Sequence, residues 1–104
     1  MKAGQVAVIT GAGSGIGRAL AKKLDSQGLS LVIADVNAQG LDETAALLSK
    51  KPTIELVDVS KRDQVEAMAA RAQQQHGHVD LVINNAGVTV HDTVAEVSYE
   101  DFEW

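Results

Sequence analysis

The residues of this sequence best suited to chemistry are the four glycines between positions 11 and 17. They follow an apolar, β-branched run at residues 6–9 and precede a helical spacing of Ile16, Leu20 and Leu24. Each ordered glycine costs about 0.5–1 kcal/mol relative to alanine, so the cluster indicates a backbone that must approach another group closely. At the start of a helix that group is most simply a phosphate, because free N–H groups and the positive end of the helix dipole converge there.

The spacing of the glycines distinguishes between several phosphate-binding loops. Thr10, Gly11, Gly15 and Gly17 form the pattern T-G-x-x-x-G-x-G, whereas the pattern G-x-G-x-x-G does not occur at any starting position. The nucleoside-triphosphate loop is excluded, because it requires Gly-Lys-Ser or Gly-Lys-Thr and Gly17 is followed by Arg18. A glycine-rich turn without a ligand, in an unrelated α/β protein, is the alternative that this loop alone leaves open.

Polar residues follow each of the predicted strands. Hydrophobic periodicity places strands at residues 6–9, 29–34, 53–57 and 79–83, with a helix in each interval. Such alternation predicts an α/β fold with a parallel sheet and right-handed crossovers. The glycine loop, Asp35, Asp58 and the run 84–87 (Asn-Asn-Ala-Gly) then share the carboxyl edge of one sheet, where open α/β sheets bind ligands.

Residues with known helix-end preferences delimit the three helices. Gly28 and Gly77 are placed to end the first and third helices, and Asn37 is placed to cap the second. Ser60 with Asp63 three residues later is a capping-box pattern for the third. The predicted buried faces of the second and third helices contain Leu41, Ala45, Leu48, Val65, Met68, Ala69 and Ala72.

Composition excludes several classes of function. The 104 residues suffice for one domain, and the net charge of −5 argues against a surface for nucleic acid or an anionic membrane. The sequence has no cysteine, and its three histidines are predicted to lie on surface loops, so we assign no metal site. No apolar run approaches the ~20 residues of a membrane span and no signal-peptide pattern is present, so we expect a cytoplasmic protein without a membrane partner.

The last residues are expected to belong to an interrupted element. Ser98 begins a helical pattern that reaches only Trp104, and a helix this short is unstable alone. Phe102 and Trp104 are placed to be buried, so we expect that the sequence is cut within a longer fold. The strand at residues 79–83 would then present an unpaired edge, which favours self-association or a homo-oligomer.

Taken together, these features resemble the short-chain dehydrogenase/reductase family over essentially the whole chain. Residues 10–17 match its cofactor loop T-G-x-x-x-G-x-G, and residues 84–87 match its N-N-A-G motif. The resemblance implies a Rossmann-type, doubly wound parallel sheet in three αβα layers, incomplete here, with residues 1–104 as an NAD-binding half-domain. The activity it implies is hydride transfer between a nicotinamide cofactor and a small-molecule alcohol or carbonyl substrate.

The same resemblance implies roles for the glycine loop. The amides around Ser14, Gly15 and Ile16 would hold the pyrophosphate, in the loop framed by Gly11 and Gly17. Thr10 and Asn84 would brace the loop and the strand ends. The pyrophosphate would thus be held by backbone groups rather than by a basic patch.

Further residues would contact the adenosine half of the cofactor, again by resemblance. Asp58 would accept a hydrogen bond from the adenine amino group, and the backbone of Val59 would contact the ring. Asn85, Ala86 and Gly87 would run along the adenosine ribose. The alternatives are a solvated strand-end carboxylate at Asp58 and an ordinary asparagine turn at residues 84–87.

Asp35 determines which nicotinamide cofactor we predict. It lies 18 residues after Gly17, close to the ~20 expected for the acid that binds the ribose hydroxyls. A 2′-phosphate would meet this carboxylate at roughly 4 Å, costing about 1 kcal/mol per charge pair in water and about 4 kcal/mol at an intermediate dielectric. NAD is therefore predicted over NADP, by at least about tenfold; the alternative is that Asp35 only caps the second helix.

No catalytic residue is assigned within the chain. The family's chemistry uses a Ser, a Tyr and a Lys four residues after the Tyr, whereas Tyr99 is followed at that distance by Glu103. No lysine occurs after Lys61, and Ser98 has no base beside it. We therefore expect the cofactor-binding portion of an NAD-dependent oxidoreductase, inactive alone. Alternatives are a non-catalytic nucleotide-binding or interaction module and, more remotely, a flavodoxin-like signalling domain.

Overall fold

The computed structural model describes residues 2–85, in which four strands alternate with three helices. The elements, in chain order, are β1 (Val6–Thr10), α1 (Gly15–Ser26), β2 (Ser30–Asp35), α2 (Ala38–Ala46), β3 (Thr53–Leu56), α3 (Arg62–His76) and β4 (Leu81–Asn84). Each predicted strand is present, and its ends lie within two residues of the predicted ones. Within this part of the chain, none of the three helices could cross a membrane. The predicted helix start at Ser98, with Phe102 and Trp104, lies outside the described residues.

The four strands form one parallel sheet in the order β3-β2-β1-β4. β1 lies between β2 and β4, with Val8 paired to Val32 on one side and to Val82 on the other. All five residues of β1 are buried, as expected for an inner strand of a parallel sheet covered on both faces. The predicted α/β class and parallel sheet are therefore confirmed.

Helices cover both faces of the sheet, because alternate residues of each strand point to opposite sides. On one face, Ile9 and Ile33 pack in a cluster with Ala21 and Leu24 of α1 and Leu41 of α2. On the other face, the corresponding cluster contains Val8, Val32, Ala34, Val57 and the α3 residues Met68 and Ala72. The result is the expected three-layer αβα arrangement of a Rossmann-type fold.

Three of the residues that were predicted to cap or end helices lie at helix ends in the structure. The Asn37 side chain accepts a hydrogen bond from the Gly40 N–H at 3.1 Å and caps α2. Gly28 and Gly77 follow α1 and α3 with φ of +89° and +86°, the left-handed conformation that favours glycine. After α1, the Leu29 N–H donates to the carbonyl of Leu24 at 3.2 Å, which completes the turn.

The structure corrects the prediction for the start of α3. Ser60 was expected to cap this helix, but Lys61 is the N-cap residue and no side chain caps the helix. The Ser60 hydroxyl instead donates to Asp58 Oδ1 at 2.7 Å. The capping-box prediction was therefore wrong: the N-cap falls one residue after Ser60, and the Ser60 side chain bonds to the strand-end carboxylate two residues before it.

Three apolar side chains also lie elsewhere than predicted. Ile16 belongs to the first turn of α1 but is 70% exposed. Ala69 is exposed on α3, and Leu48 lies beyond the end of α2, although it still packs against the core. On α2, helical spacing of apolar residues did not predict the burial of Thr44, which is fully buried.

Candidate functional site

The loops that the sequence predicts to bind a ligand lie together at the carboxyl edge of the sheet. β1 runs into the glycine loop, β2 ends at Asp35, and β4 ends at Asn84. Because all strands are parallel, these ends lie on one edge of the sheet. Two backbone bonds join them: the Ala12 N–H donates to the carbonyl of Ala34, and the Val57 N–H to that of Asp35, both at 3.1 Å.

Glycine is required at two kinds of position in the loop. Gly11 and Gly15 have φ of +67° and +55°, a region in which other residues are strained. Gly17 is required for a different reason, because a Cβ there would overlap the carbonyl oxygen of Gly11. The first turn of α1 therefore packs directly on the backbone of the loop that precedes it.

The start of α1 presents backbone N–H groups to solvent. Ser14 is the N-cap residue, and its side chain makes no capping hydrogen bond. Ser14, Gly15 and Ile16 are all exposed. The first N–H groups of a helix have no acceptor within the helix, and the helix dipole adds positive potential there. An anionic group such as a pyrophosphate fits this position, and its binding by this chain stays a prediction.

Asp35 lies beside the loop with both carboxylate oxygens engaged. Its Oδ2 accepts a hydrogen bond from the Gly13 N–H at 2.8 Å, and its Oδ1 accepts from the N–H groups of Val36 and Asn37 at 2.7 and 3.2 Å. A carboxylate offers about four acceptor positions, so it retains capacity for a further donor. Because Asn37 is the N-cap of α2, the alternative that Asp35 merely caps that helix does not describe the structure.

The loop is braced from the neighbouring strand β4. The Thr10 hydroxyl donates to Asn84 Oδ1 at 2.8 Å, and the Asn85 side-chain amide donates to the carbonyl of Gly11 at 3.4 Å. Thr10 and Asn84 thus hold the ends of β1 and β4 together, in the positions the resemblance implied. Ala86 and Gly87, the rest of that motif, lie outside the described residues.

Asp58 and Val59 follow β3 at the same edge. Asp58 Oδ1 accepts hydrogen bonds from the hydroxyl and N–H of Ser60 at 2.7 and 2.9 Å. These two bonds, with a smaller effect from the charge of Lys61, outweigh desolvation and lower the pKa of the Asp58 carboxyl below its ordinary value. The carboxylate is therefore ionised at neutral pH and able to accept a hydrogen bond from an amino group.

Sequence reasoning missed the residues that join the glycine loop to α2. The buried Thr44 hydroxyl donates to the carbonyl of Ala12 at 2.7 Å, and Arg18 Nε donates to Thr44 Oγ1 at 2.9 Å. Arg18 Nη2 donates to the carbonyls of Gly13 at 2.6 Å and Gly40 at 3.2 Å. The one available signal was Gly40, a glycine in the first turn of a predicted helix, where it costs about 1 kcal/mol relative to alanine.

Comparison with known proteins identifies the family. The family model described as short chain dehydrogenase matches residues 5–104. The chain belongs to the short-chain dehydrogenase family. It is 38% identical over 99 residues to meso-2,3-butanediol dehydrogenase of Serratia marcescens, covering 94% of this chain and 39% of that protein. It is 43% identical over 89 residues to 3beta-hydroxysteroid dehydrogenase 2 of Eggerthella lenta, covering 83% of this chain and 34% of that one.

Solved structures of this family share the fold of the chain. A short-chain dehydrogenase/reductase from Burkholderia phymatum in complex with NAD is 47% identical, with a TM-score of 0.77 over 83% of this chain and 32% of that one. A metagenomic short-chain oxidoreductase in complex with NADP is 36% identical, with a TM-score of 0.79 over 84% of this chain and 41% of that one. The chain spans 34–43% of the length of the curated relatives that it matches.

Proposed function

We propose that this chain is the dinucleotide-binding portion of an oxidoreductase that transfers hydride between a nicotinamide cofactor and an alcohol or carbonyl substrate. The observation that carries the proposal is the hydrogen bond between the Gly13 N–H and Asp35 Oδ2, at 2.8 Å. It places a carboxylate suited to ribose hydroxyls beside a helix start suited to a pyrophosphate. Residues 1–104 would form one NAD-binding half-domain, and the family match favours this function over a non-catalytic module.

The pyrophosphate would be bound by the exposed start of α1. The N–H groups around Ser14, Gly15 and Ile16 are the proposed contacts, with Gly11 and Gly17 shaping the loop beneath them. The bound cofactor supplies the nicotinamide ring that gains or loses the hydride. The residues of this chain bind and orient the rest of the dinucleotide.

The adenosine half would lie along the ends of β2, β3 and β4. Asp58, kept ionised by Ser60, would accept a hydrogen bond from the adenine amino group, and the backbone of the half-buried Val59 would contact the ring. Asn85, Ala86 and Gly87 would pass along the ribose, as their match to the family's motif implies. These assignments are proposals from the sequence motif and from the position of Asp58, Val59 and Asn85 at the carboxyl edge.

NAD is the proposed cofactor, because Asp35 is a poor neighbour for a 2′-phosphate. Repulsion between the two negative groups at roughly 4 Å costs about 1 kcal/mol per charge pair in water and about 4 kcal/mol at an intermediate dielectric. Hydrogen bonds from ribose hydroxyls to a carboxylate instead contribute about 1.5–3 kcal/mol. Solved structures of relatives contain NAD in one case and NADP in another, so the proposal of NAD rests on Asp35.

We base the proposed substrate class on the relatives of this chain rather than on its own residues. Two of the relatives are a butanediol dehydrogenase and a hydroxysteroid dehydrogenase, whose substrates are alcohols. We propose that the complete enzyme acts on a small-molecule alcohol or carbonyl compound. No catalytic residue is assigned within this chain, so we propose that it does not catalyse turnover alone.

Titration calorimetry of the chain with NAD and with NADP tests the cofactor assignment. We expect NAD to bind at least about tenfold more tightly, and Asp35→Ala to remove most of that preference. Asp42→Ala, which removes an exposed aspartate of α2, is the matched control and should leave the preference unchanged. Equal affinities for NAD and NADP in the unmodified chain would contradict the choice of NAD, and binding of neither would contradict the proposed site.

We also propose that the chain self-associates through β4. In residues 2–85 this strand is at the edge of the sheet, paired with β1 alone. An apolar strand edge tends to pair with another chain. Light scattering at micromolar concentration should therefore give a mass above that of one chain, and a clean monomer would refute the proposal.

A further inference from the structure

Arg18 and Thr44 form a polar connection between the glycine loop and α2. Thr44 is fully buried, and its hydroxyl both donates to the carbonyl of Ala12 and accepts from Arg18 Nε. The Arg18 side chain is 28% exposed and donates through Nη2 to the carbonyl of Gly13. Two consecutive loop carbonyls, those of Ala12 and Gly13, are thereby bonded to Thr44 of α2 and to Arg18 of α1.

A pair of glycines permits this close approach. A Cβ at Gly13 would lie 2.7 Å from Asp35 Oδ2, and a Cβ at Gly40 would lie 2.6 Å from the carbonyl oxygen of Gly13. Arg18 Nη2 also donates to the carbonyl of Gly40 at 3.2 Å, so one guanidinium joins both sides of the contact. The position of Gly13 is therefore determined by α2 rather than by the loop alone.

The backbone of Gly13 links this contact to Asp35 through its two flanking peptide groups. Its carbonyl accepts from Arg18 at 2.6 Å, while its N–H donates to Asp35 Oδ2 at 2.8 Å. A shift of the loop away from α2 would lengthen the bond to the carboxylate that we propose contacts the ribose. A single substitution at Arg18 or Thr44 can therefore displace both the glycine loop and the Asp35 carboxylate.

We infer that Arg18 and Thr44 are positioning residues for the dinucleotide site, which hold the glycine loop and Asp35 in one fixed arrangement without touching the cofactor. This inference rests on the proposed function, because it concerns the same site. It predicts that removing either side chain weakens NAD binding and also reduces discrimination against NADP. A residue needed only for stability would lower the melting temperature without changing that discrimination.

The alternative for Arg18 is simple attraction between its charge and the phosphates. Arg18 also pairs with the half-exposed Glu43 at 3.1 Å, and such an exposed pair contributes little. Lysine at position 18 would keep the charge but lose the planar fork that reaches Thr44 and two carbonyls from one group. Arg18→Lys therefore separates positioning from charge attraction.

The test is calorimetric titration of the chain with NAD and NADP, with melting temperatures measured in parallel. Thr44→Val removes the hydroxyl at nearly constant volume and should weaken NAD binding about tenfold, with a smaller loss for NADP. Thr44→Ser should restore both values. Arg18→Gln, at a partly exposed site, is the second variant in case Thr44→Val does not fold. It should show the same loss, and Arg18→Lys should not restore the affinity.

Arg62→Gln is the matched control, because Arg62 is an exposed helical arginine paired with Glu66 on α3, away from the loop. It should change NAD affinity by less than about twofold.

If the unmodified chain binds NAD and Arg18→Gln binds it equally well, the inference is overturned while the proposed function stands. Full NAD affinity in Arg18→Lys would also overturn the positioning role, in favour of charge attraction. Failure of the unmodified chain to bind NAD would instead overturn the proposed function.

Discussion

Two aspartates at opposite edges of the sheet have nearly the same hydrogen bonding and different surroundings. Asp35, at the carboxyl edge, accepts from three backbone N–H groups. Asp25, near the end of α1, accepts from the N–H and hydroxyl of Ser49 and from the N–H of Lys50. Asp25 is only 8% exposed, whereas Asp35 is half-buried beside the open start of a helix.

The comparison shows that the number of hydrogen bonds to a carboxylate does not distinguish a structural carboxylate from one that binds a ligand. Asp25 joins the end of α1 to the segment after α2 and has no open side for a ligand. Asp35 also joins two segments, the glycine loop and the start of α2, yet keeps acceptor capacity at the carboxyl edge. Substitutions at the two edges should therefore separate stability from cofactor affinity.

The largest expected effect is that of Gly17→Ala at the carboxyl edge. The added Cβ would overlap the carbonyl oxygen of Gly11, so the loop must move and the N–H groups of α1 lose their alignment. We expect NAD binding to weaken by about a hundredfold, measured by titration calorimetry. Gly77→Ala is the control: its φ is +86° with open space around it, so it should cost stability, about 1–2 kcal/mol, and leave NAD affinity unchanged.

Asp25→Ala should lower stability without changing NAD affinity, the opposite of the result expected for substitutions at the carboxyl edge. It removes a buried acceptor of three hydrogen bonds, so we expect the free energy of unfolding to fall by about 2 kcal/mol. Urea denaturation measures that loss, and calorimetry should show NAD affinity within about twofold of the unmodified chain. A large loss of NAD affinity in the folded variant would break the comparison, because it would make Asp25 part of the site.

The smallest expected effect is on acid stability. Burial acts to raise the pKa of the Asp25 carboxyl, but the bonds from Ser49 and Lys50 outweigh it and lower that pKa below its ordinary value of 3.8. The bonds to this carboxylate therefore stabilise the fold above about pH 4, and the stabilisation is lost as the pH falls through the lowered pKa. Asp25→Asn should accordingly show a flatter decline in unfolding free energy between about pH 4 and pH 2.

Asp58 offers an internal comparison for that experiment. The hydroxyl and N–H of Ser60 lower the pKa of its carboxyl too, so its contribution has the same sign. Because this group is less buried than Asp25 and has fewer donors, Asp58→Asn should flatten the acid decline less. An identical profile for Asp25→Asn and the unmodified chain would show that Asp25 does not contribute to acid stability.

The strands and most helix ends could be predicted because their signals are local. The apolar runs, Asn37, Gly28 and Gly77 each act through the conformation of a few neighbouring residues. Ser60 is not the cap that its local pattern predicts: the N-cap is Lys61, and the Ser60 hydroxyl donates to the nearby Asp58. Local preference predicts a group's possible partners but not which partner it bonds to.

The chain's sequence by itself determined the strand-and-helix order, the glycine loop and the acidic strand ends, because each depends on residue type and short spacing. Only the tertiary structure decided that Arg18 and Thr44 hold that loop, since these residues are separated by 26 positions and meet through the packing of α1 against α2. It also decided which aspartate lies open and which is buried. Exposure depends on what the rest of the chain covers, and no single stretch of sequence contains that information.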